Sequence, residues 1–411
     1  MLGPGLVTGA SDDDPSGIAT YMQAGAKFGF ALGWTLVLTY PLMVVIQAIS
    51  ARIGRTTGHG IAGNLRLHYP AWLLNTIVVL LFAANTLNIG ADLSAMGAVS
   101  TLLVPPVPAS VFLVLFGAVC AAGQIFLKHT RYVAVLKWLS LSLFSYFAVL
   151  CVVHVPWGAL AHGLVWPRLQ FDRDFWLMVV AILGTTISPY LFFWQAAQEV
   201  EDTKARRSRL PLRKKPRQGR RALARIRLDT LIGMAFSNLV ALAIMVTAAV
   251  TLHAHGANEI GSAAEAAEAL RPVAGNFAFE LFALGIVGTG LLSVPVLAGS
   301  AAYALGEARR WPVGLARKPL HAKAFYGAIV AATFIGAAAN VASLDPVTAL
   351  VWAAIINAIV AVPVMAILMS MATRAKIMGP FRISRRWTVL GWLATALMGA
   401  AALAMLVSLS L

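Results

Sequence analysis

Three consecutive aspartates stand inside an apolar stretch near the start of the chain, where residues 11–17 have the sequence SDDDPSG. On insertion scales a charged side chain at the centre of a lone membrane helix costs about 2.5–3.5 kcal/mol, so three in a row cannot face lipid. Pro15 removes a backbone donor, and Gly17 tolerates conformations that other residues avoid. We predict an unwound break near mid-membrane, where carboxylates, freed carbonyl oxygens and the negative end of a half-helix attract a cation. A proline kink with buried, protonated aspartates is the alternative.

A second interrupted segment lies at residues 184–190, with the sequence GTTISPY. It offers hydroxyl groups, a glycine and Pro189 in the middle of another apolar stretch. Two interrupted helices in corresponding positions of two halves of a chain point to a transporter's binding site. Pro189 alone fits a simple kink equally well, and its pairing with Pro15 favours a site.

A polar stripe runs along a third apolar stretch. Asn85, Asn88 and Asp92 are spaced so that they share one helical face, which must look into a bundle. The stripe could extend an ion pathway or bond neighbouring helices, and both interpretations remain open. Asn357 and several glycines of later stretches fit close helix packing equally well.

The elements that position these residues are apolar helices. Hydrophobic residues make up 59% of the chain and charged residues 12%, whereas soluble domains carry about 25% charged residues. The apolar runs are continuous and about 20 residues long, which matches helices crossing a hydrocarbon core of about 30 Å. The chain has two cysteines, both inside apolar runs, so neither a disulfide framework nor a thiolate metal site is expected. We predict an all-α integral membrane protein.

Eleven spanning helices are predicted, named here span 1 to span 11, at 2–25, 31–50, 72–98, 107–127, 132–153, 175–198, 230–252, 277–304, 324–342, 347–371 and 389–410. The interrupted spans 1 and 6 are five helices apart, which predicts an inverted repeat of spans 1–5 and 6–10 with span 11 appended. The chain is then a single transmembrane transporter domain. Its repeats lie at about 1–155 and about 170–371, and the extra helix at about 389–410.

The basic residues are distributed unevenly between the loops. The formal net charge is +16, and 28 of the 32 Lys and Arg residues follow even-numbered spans. By the positive-inside rule these loops and the N-terminus face the cytoplasm, and an odd number of spans leaves the C-terminus outside. A run of twelve basic residues at 204–227, in a cytoplasmic loop predicted at about 200–228, favours a topology anchor on anionic lipid over a nucleic-acid or regulatory role. The expected location is the inner (plasma) membrane.

Several segments resemble the NRAMP divalent metal transporters. In span 1 these are LGPGLV at 2–7, DPSG at 14–17 and GAKFG at 25–29, and in span 2 they are SARIG at 50–54 with the following Thr57-Gly58. The segment at 184–190 is also similar, and the general pattern extends over essentially the whole chain. The resemblance implies a LeuT-type fold, alternating access and a metal site between the breaks of spans 1 and 6.

The resemblance also implies ligand positions. In the family, helix 1 gives an Asp and an Asn, and helix 6 gives a backbone carbonyl and a Met sulfur. By that correspondence the Asp position is Asp14, the Asn position is Gly17, the carbonyl position is Thr185 and the Met position is Ser188. A family His corresponds to Tyr190.

These departures favour a hard cation. A hydroxyl in place of a thioether removes the preference for softer transition metals. Glycine in place of Asn enlarges the site, which suits an ion that keeps several waters, as Mg²⁺ commonly does. We therefore predict transport of Mg²⁺ and Mn²⁺ with Asp14 as the main ligand, as in the divergent magnesium branch of the family. Further residues are expected to act as pathway or supporting groups (Asp13, Tyr190, Asn88, Asp92 and Asn357) or to break the helices (Pro15, Ser16 and Pro189).

The sequence also allows functions other than divalent metal transport. A LeuT-fold symporter of amino acids or another small organic substrate is the main alternative, although three aspartates beside the break would repel a substrate carboxylate. An intramembrane metalloenzyme is disfavoured because no helix carries a His-Glu-x-x-His or comparable cluster. A passive channel remains a third possibility. The expected partners are a divalent metal ion as substrate and the lipid bilayer, with no nucleic acid and no cofactor, and the oligomeric state is left open. In the family, helix 3 carries an acidic pair that is associated with proton movement, and this pair is not evident at residues 86–92 here. Its absence, together with that of the family His, weakens the case for proton coupling.

Overall fold

Long apolar helices make up nearly all of the computed structural model. It describes residues 8–9, 11–127, 143–170, 172–205, 208–256, 259–271, 275, 278–339 and 345–409. Within these ranges no strand occurs, and eight stretches are long and apolar enough to cross a membrane.

The described residues form these α-helices in chain order: α1 (Pro15–Phe28), α2 (Gly33–Thr57), α3 (Ile61–His68), α4 (Ala71–Leu103), α5 (Ala109–Phe126), α6 (Phe144–Val152), α7 (Trp157–Val165), α8 (Arg173–Thr186), α9 (Pro189–Ala205), α10 (Gly219–Thr251), α11 (Ala263–Glu268), α12 (Ala278–Ala308), α13 (Lys323–Ala339), α14 (Pro346–Thr373), α15 (Ala375–Met378) and α16 (Arg385–Ser408).

The predicted spans agree with these helices wherever the structure describes them. Spans 2, 3, 4, 6, 7, 8, 10 and 11 each coincide with one of the eight long stretches, and span 9 is the shorter apolar helix α13. Spans 1 and 5 lie partly outside the described residues, and their later parts are α1 and α6.

Span 6 is two helices, α8 and α9, in agreement with its predicted interruption, and they meet at the break described below. Several predicted boundaries differ from the structure. Helix α10 begins at Gly219, well before the predicted residue 230, so the end of the basic run is helical. Arginine is a good helix former, and its long side chain can reach polar surroundings from a helix end. The short helices α3, α7, α11 and α15 lie in stretches that were predicted as loops.

Aspartate caps fix several helix starts. Asp14 precedes Pro15 at the start of α1, and Asp345 precedes Pro346 at the start of α14. The side chain of each aspartate accepts a hydrogen bond from a backbone N–H three residues on. Proline suits the first helical position because the N–H it lacks would have no partner there.

Glycines let several helices touch backbone to backbone. A β-carbon placed on Gly184 of α8 would lie 1.9 Å from the carbonyl oxygen of Ala354 in α14, and one on Gly54 of α2 would lie 2.2 Å from that of Ala196 in α9. Small residues at such contacts allow the close approach by which membrane helices associate. In consequence α8 packs on α14 and α9 on α2, while α1 packs on α10 and α4 packs on α12, α13 and α14.

The loops gather at two opposite faces. At one face the carboxylate of Glu307 accepts hydrogen bonds from Gly60 N (2.7 Å) and Gly63 N (2.8 Å), and Arg55 donates to the Leu210 carbonyl (2.6 Å). These contacts join the basic loops that follow spans 2, 6 and 8. At the other face Lys27 pairs with Asp174 (2.7 Å).

Candidate functional site

The first break lies just before Pro15. Thr8 and Gly9 are helical, residues 11–14 are not, and α1 begins at Pro15. The break was predicted to include Pro15, Ser16 and Gly17, but these residues form the first turn of α1. The physical reason is the cap: Asp14 accepts the Gly17 N–H at 2.8 Å and so starts a regular helix at the proline.

The second break lies between α8 and α9. Helix α8 ends at Thr186, Ile187 and Ser188 are not helical, and α9 begins at Pro189. Ser188 Oγ lies 2.8 Å from the Gly184 carbonyl and 2.9 Å from the Thr185 carbonyl, so its hydroxyl can donate to one of these freed carbonyls at a time. Pro189 therefore begins a new helix and does not kink a continuous one.

Tyr190 and Gly17 bring the two breaks together. The Tyr190 hydroxyl lies 3.0 Å from the Ser11 carbonyl and 3.5 Å from Asp14 Oδ2. A β-carbon placed on Gly17 would lie 2.9 Å from Thr185 Oγ1. Gly17 thus allows the close approach of α1 and α8.

Asp14 is the best compensated carboxylate of the cluster. Its Oδ1 accepts from Ser16 Oγ (2.7 Å) and Gly17 N, and its Oδ2 accepts from Asn88 Nδ2 (3.1 Å) and from Tyr190. The side chain is buried, and no Lys, Arg or His within the described ranges pairs with it. The donors fix its orientation and offset the cost of burying a polar group.

The polar stripe of α4 contacts two different groups of residues. Asn88 Nδ2 donates to Asp14 and, at 3.4 Å, to Asp92 Oδ2, while Asn88 Oδ1 accepts from Asn357 Nδ2 at 3.1 Å. Asp92 also accepts from Ser293 Oγ at 3.0 Å. The predicted residues Asn88, Asp92 and Asn357 therefore lie in one cluster with Asp14.

Asn85, one turn away on the same stripe, belongs to helix packing. Its Nδ2 donates to the Leu297 carbonyl (2.9 Å) and to Ser300 Oγ (2.7 Å), both in α12. The helix-bonding interpretation of the stripe thus applies to Asn85, and the ion-pathway interpretation stays a prediction for Asn88 and Asp92.

Asp12 and Asp13 turn toward α10. Ser237 Oγ lies 2.5 Å from Asp12 Oδ2 and 3.4 Å from Asp13 Oδ1. Sequence reasoning missed Ser237, although Ser237 and Asn238 are the only polar pair within the apolar span 7. It also missed Ser293, which sits in a similarly apolar stretch.

The cluster is rich in oxygen atoms with spare hydrogen-bonding capacity. The buried oxygens in and beside the site that lack a partner among the described residues include Asp12 Oδ1, Asp13 Oδ2, Asp92 Oδ1, Thr185 Oγ1 and Asn357 Oδ1. In the described part of the chain His, Cys, Asp and Glu side chains do not converge in groups of three or more suited to a metal. A cation here would be held by few carboxylates together with amide, hydroxyl and water oxygens, which suits a hard ion that keeps part of its hydration shell.

Comparison with known proteins identifies the family. The family model described as natural resistance-associated macrophage protein-like, or Nramp, matches residues 5–408. The chain belongs to the Nramp family. This confirms the family resemblance predicted from the sequence, and because Nramp proteins are transporters the chain is not an enzyme.

A curated Nramp relative is the divalent metal cation transporter MntH of Yersinia enterocolitica. It is 28% identical over 306 residues, which cover 72% of this chain and 70% of the relative.

Solved structures show the fold. The Eremococcus coleocola manganese transporter, in complex with an aromatic bis-isothiourea substituted compound, matches with a TM-score of 0.74 at 18% identity, covering 99% of this chain and 85% of that one. MhsT in complex with L-phenylalanine matches with a TM-score of 0.58 at 12% identity, covering 98% and 97%. This Nramp protein therefore has the LeuT-type fold that was predicted, with an inverted repeat of membrane helices.

Proposed function

We propose that this Nramp protein is a secondary transporter that moves a divalent metal cation by alternating access. The ion binds between the break at 11–14 and the break at 187–188. The observation that carries the proposal is the position of Asp14, a buried carboxylate held by donors from α1, α4 and α9 where both breaks meet. Relatives that are named divalent metal cation and manganese transporters support the substrate class.

Asp14 Oδ2 is the proposed first ligand. The Tyr190 contact to this oxygen, at 3.5 Å, is the longest that Asp14 makes, so this oxygen can turn to an ion most easily. Thr185 supplies its unpartnered hydroxyl, in addition to the carbonyl implied by the family, and Asn357 supplies its unpartnered Oδ1. Ser188 presents hydroxyl lone pairs while its hydrogen points back to α8.

The ion preference is for Mg²⁺, with Mn²⁺ also carried. Ser188 stands where a thioether would favour softer metals, and Gly17 offers no side-chain ligand, which leaves one coordination position of the ion to a water of hydration. Mg²⁺ holds its water shell tightly, so an oxygen-lined site with room for water suits it better than a closely fitted one.

The basic face is proposed to be cytoplasmic. The loops after spans 2, 6 and 8 carry most of the positive charge and meet at this face, and such loops stay on the cytoplasmic side of a plasma membrane. The N-terminus would then lie inside the cell and the C-terminus outside.

Metal uptake into proteoliposomes tests the proposal. Asp14→Asn keeps the side-chain volume and most of the hydrogen bonds but removes the charge, so we expect Mg²⁺ and Mn²⁺ uptake to fall at least tenfold and calorimetric metal binding at the Asp14 position to be lost. Glu280→Gln, an exposed acid in α12, is the matched control and should leave both unchanged. Wild-type uptake by Asp14→Asn would contradict the proposed ligand.

The amino-acid symporter is tested in the same vesicles. MhsT shares the fold and was solved with L-phenylalanine, but the carboxylates at 12–14 would repel a substrate carboxylate in this chain. We expect no concentrative amino-acid uptake. Saturable uptake of an amino acid that is independent of divalent metal would favour the alternative.

A further inference from the structure

Asp12 and Asp13 lie in a compartment of their own. Whereas Asp14 faces Asn88 of α4, both other carboxyl groups approach one hydroxyl, Ser237 Oγ of α10, at 2.5 Å and 3.4 Å. Each is only 1% exposed. The non-helical segment 11–14 thus separates two polar clusters.

The two carboxyl groups are poorly compensated in comparison with Asp14. Ser237 has one hydroxyl hydrogen and can donate to only one of them at a time. Asp12 Oδ1 and Asp13 Oδ2 have no hydrogen-bond partner, and no Lys, Arg or His pairs with either side chain, in the part of the chain that the structure describes. Adjacent buried carboxyl groups in this condition are either protonated or accompanied by positive charge nearby.

A third side chain points to the same compartment. The Tyr21 phenol is fully buried, lies within electrostatic range of Asp12 and Asp13 and also of Asp14, and has the Thr185 side chain beside its hydroxyl. Its hydroxyl makes no hydrogen bond of acceptable geometry to any described residue. The Tyr21 hydroxyl is therefore available to bind a group from outside the described residues, such as a water molecule bound to an ion.

We propose that Asp12, Asp13 and Ser237 form a second position for a divalent cation, beside the Asp14 position and on its α10 side. Two carboxylates and a hydroxyl are hard oxygen ligands, and their charge of −2 balances Mg²⁺ or Mn²⁺. Water bound to Tyr21 completes the shell. Because Asp13 and Asp14 are consecutive, an ion can step between the positions by exchanging one carboxylate for the next.

The proposal rests on the proposed function but can fail separately from it. The probe is MnCl₂ titrated into the purified full-length protein, with free Mn²⁺ followed by electron paramagnetic resonance. We expect two Mn²⁺ per wild-type chain. The double variant Asp12→Asn, Asp13→Asn should bind one, with unchanged affinity, and Asp14→Asn should retain the other.

A single Mn²⁺ per wild-type chain would overturn the second position, as would loss of all binding in the double variant, which would assign the three acids to one site. Two Mn²⁺ retained by Asp14→Asn would contradict the proposed function and leave the second position standing.

Ser237→Ala removes one hydroxyl and provides a second test of the proposed position if the double variant does not fold. It should weaken the second Mn²⁺ about tenfold and leave the first unchanged. Asn238→Ala is the control, because Asn238 donates to the Leu36 carbonyl, away from the acids. Equal effects of the two substitutions would overturn the proposal.

Discussion

One amide side chain organises the proposed ion site. The Asn88 amide nitrogen donates to the carboxylates of Asp14 and Asp92, and the Asn88 amide oxygen accepts from Asn357. An amide between two carboxylates keeps them apart and orients both. Asn88 is therefore a positioning residue for Asp14.

Asn88 and Asn85 make a matched pair for testing this role. Asn88→Ala removes a donor to Asp14, so we expect metal affinity measured by calorimetry to fall about tenfold. Asn85→Ala removes two hydrogen bonds to α12 and should destabilise the protein by about 1–3 kcal/mol, lowering its melting temperature in detergent. Its metal affinity should stay at the wild-type value. An equal loss of affinity in both variants would contradict the division of the stripe.

Gly17 provides the test of ion size. A β-carbon there would lie 2.9 Å from Thr185 Oγ1, so Gly17→Asn fills the space proposed for a water and adds an amide oxygen. We expect Mg²⁺ uptake in proteoliposomes to fall several-fold more than Mn²⁺ uptake, since Mg²⁺ dehydrates more reluctantly. Gly17→Ala fills space without the oxygen and should impair both ions. Unchanged Mg²⁺ uptake in Gly17→Asn would exclude the roomy site.

Residue types in the sequence could predict the members of the cluster but not its contacts. Aspartates, a polar stripe and a tyrosine stood out because polar groups are costly in an apolar span. Ser237 and Ser293 did not, because a lone serine in a helix can satisfy its own hydroxyl on the preceding turn. The different partners of Asn85 and Asn88 depend on how α4 is rotated, which sequence spacing leaves undetermined.

At the scale of elements, the residues at the helix starts determine where α1 and α9 begin. The break falls before Pro15 and before Pro189, because proline is accommodated best at a first helical position. The sequence could place a break near each proline. The sequence could not show whether each break precedes or follows its proline, because that depends on the Asp14 cap and on the Ser188 contacts with α8. The short helices α3, α7, α11 and α15 escaped prediction because each is too short for a clear apolar period.

Close helix contacts predict which glycines are indispensable. A β-carbon on Gly54 would meet the Ala196 carbonyl at 2.2 Å, whereas one on Gly285, which is also buried in a helix, would meet nothing within 4 Å. Gly54→Ala should therefore force α2 from α9 and lower stability by about 1–3 kcal/mol or more. Gly285→Ala should be neutral or slightly stabilising, because alanine favours helix by about 1 kcal/mol. Thermal melts in detergent measure both, and an equally stable Gly54→Ala protein would contradict the close contact.

At the scale of the whole molecule, the membrane potential supplies the driving force for the proposed uptake. With the basic face inside the cell, as proposed above, an inside-negative potential draws a dication toward that face. Two charges crossing 100 mV gain about 4.6 kcal/mol, which corresponds to roughly a thousandfold accumulation. The proposed uptake is therefore expected to need no proton gradient.

A potassium diffusion potential tests this. In vesicles at equal pH inside and out, valinomycin with an outward K⁺ gradient should increase Mg²⁺ uptake several-fold. A trapped pH dye should record no acidification that scales with uptake. Lumenal acidification in fixed proportion to the metal would show proton coupling and contradict the prediction.

Asp14 has two duties that a single ion sets against each other. It starts α1 by accepting the Gly17 N–H, and it is the proposed first ligand of the cargo. A dication that draws the carboxylate toward itself would also weaken the hydrogen bond that caps α1 at Gly17. Ion binding at the proposed site would therefore act on the start of α1 directly, through the Asp14 side chain alone.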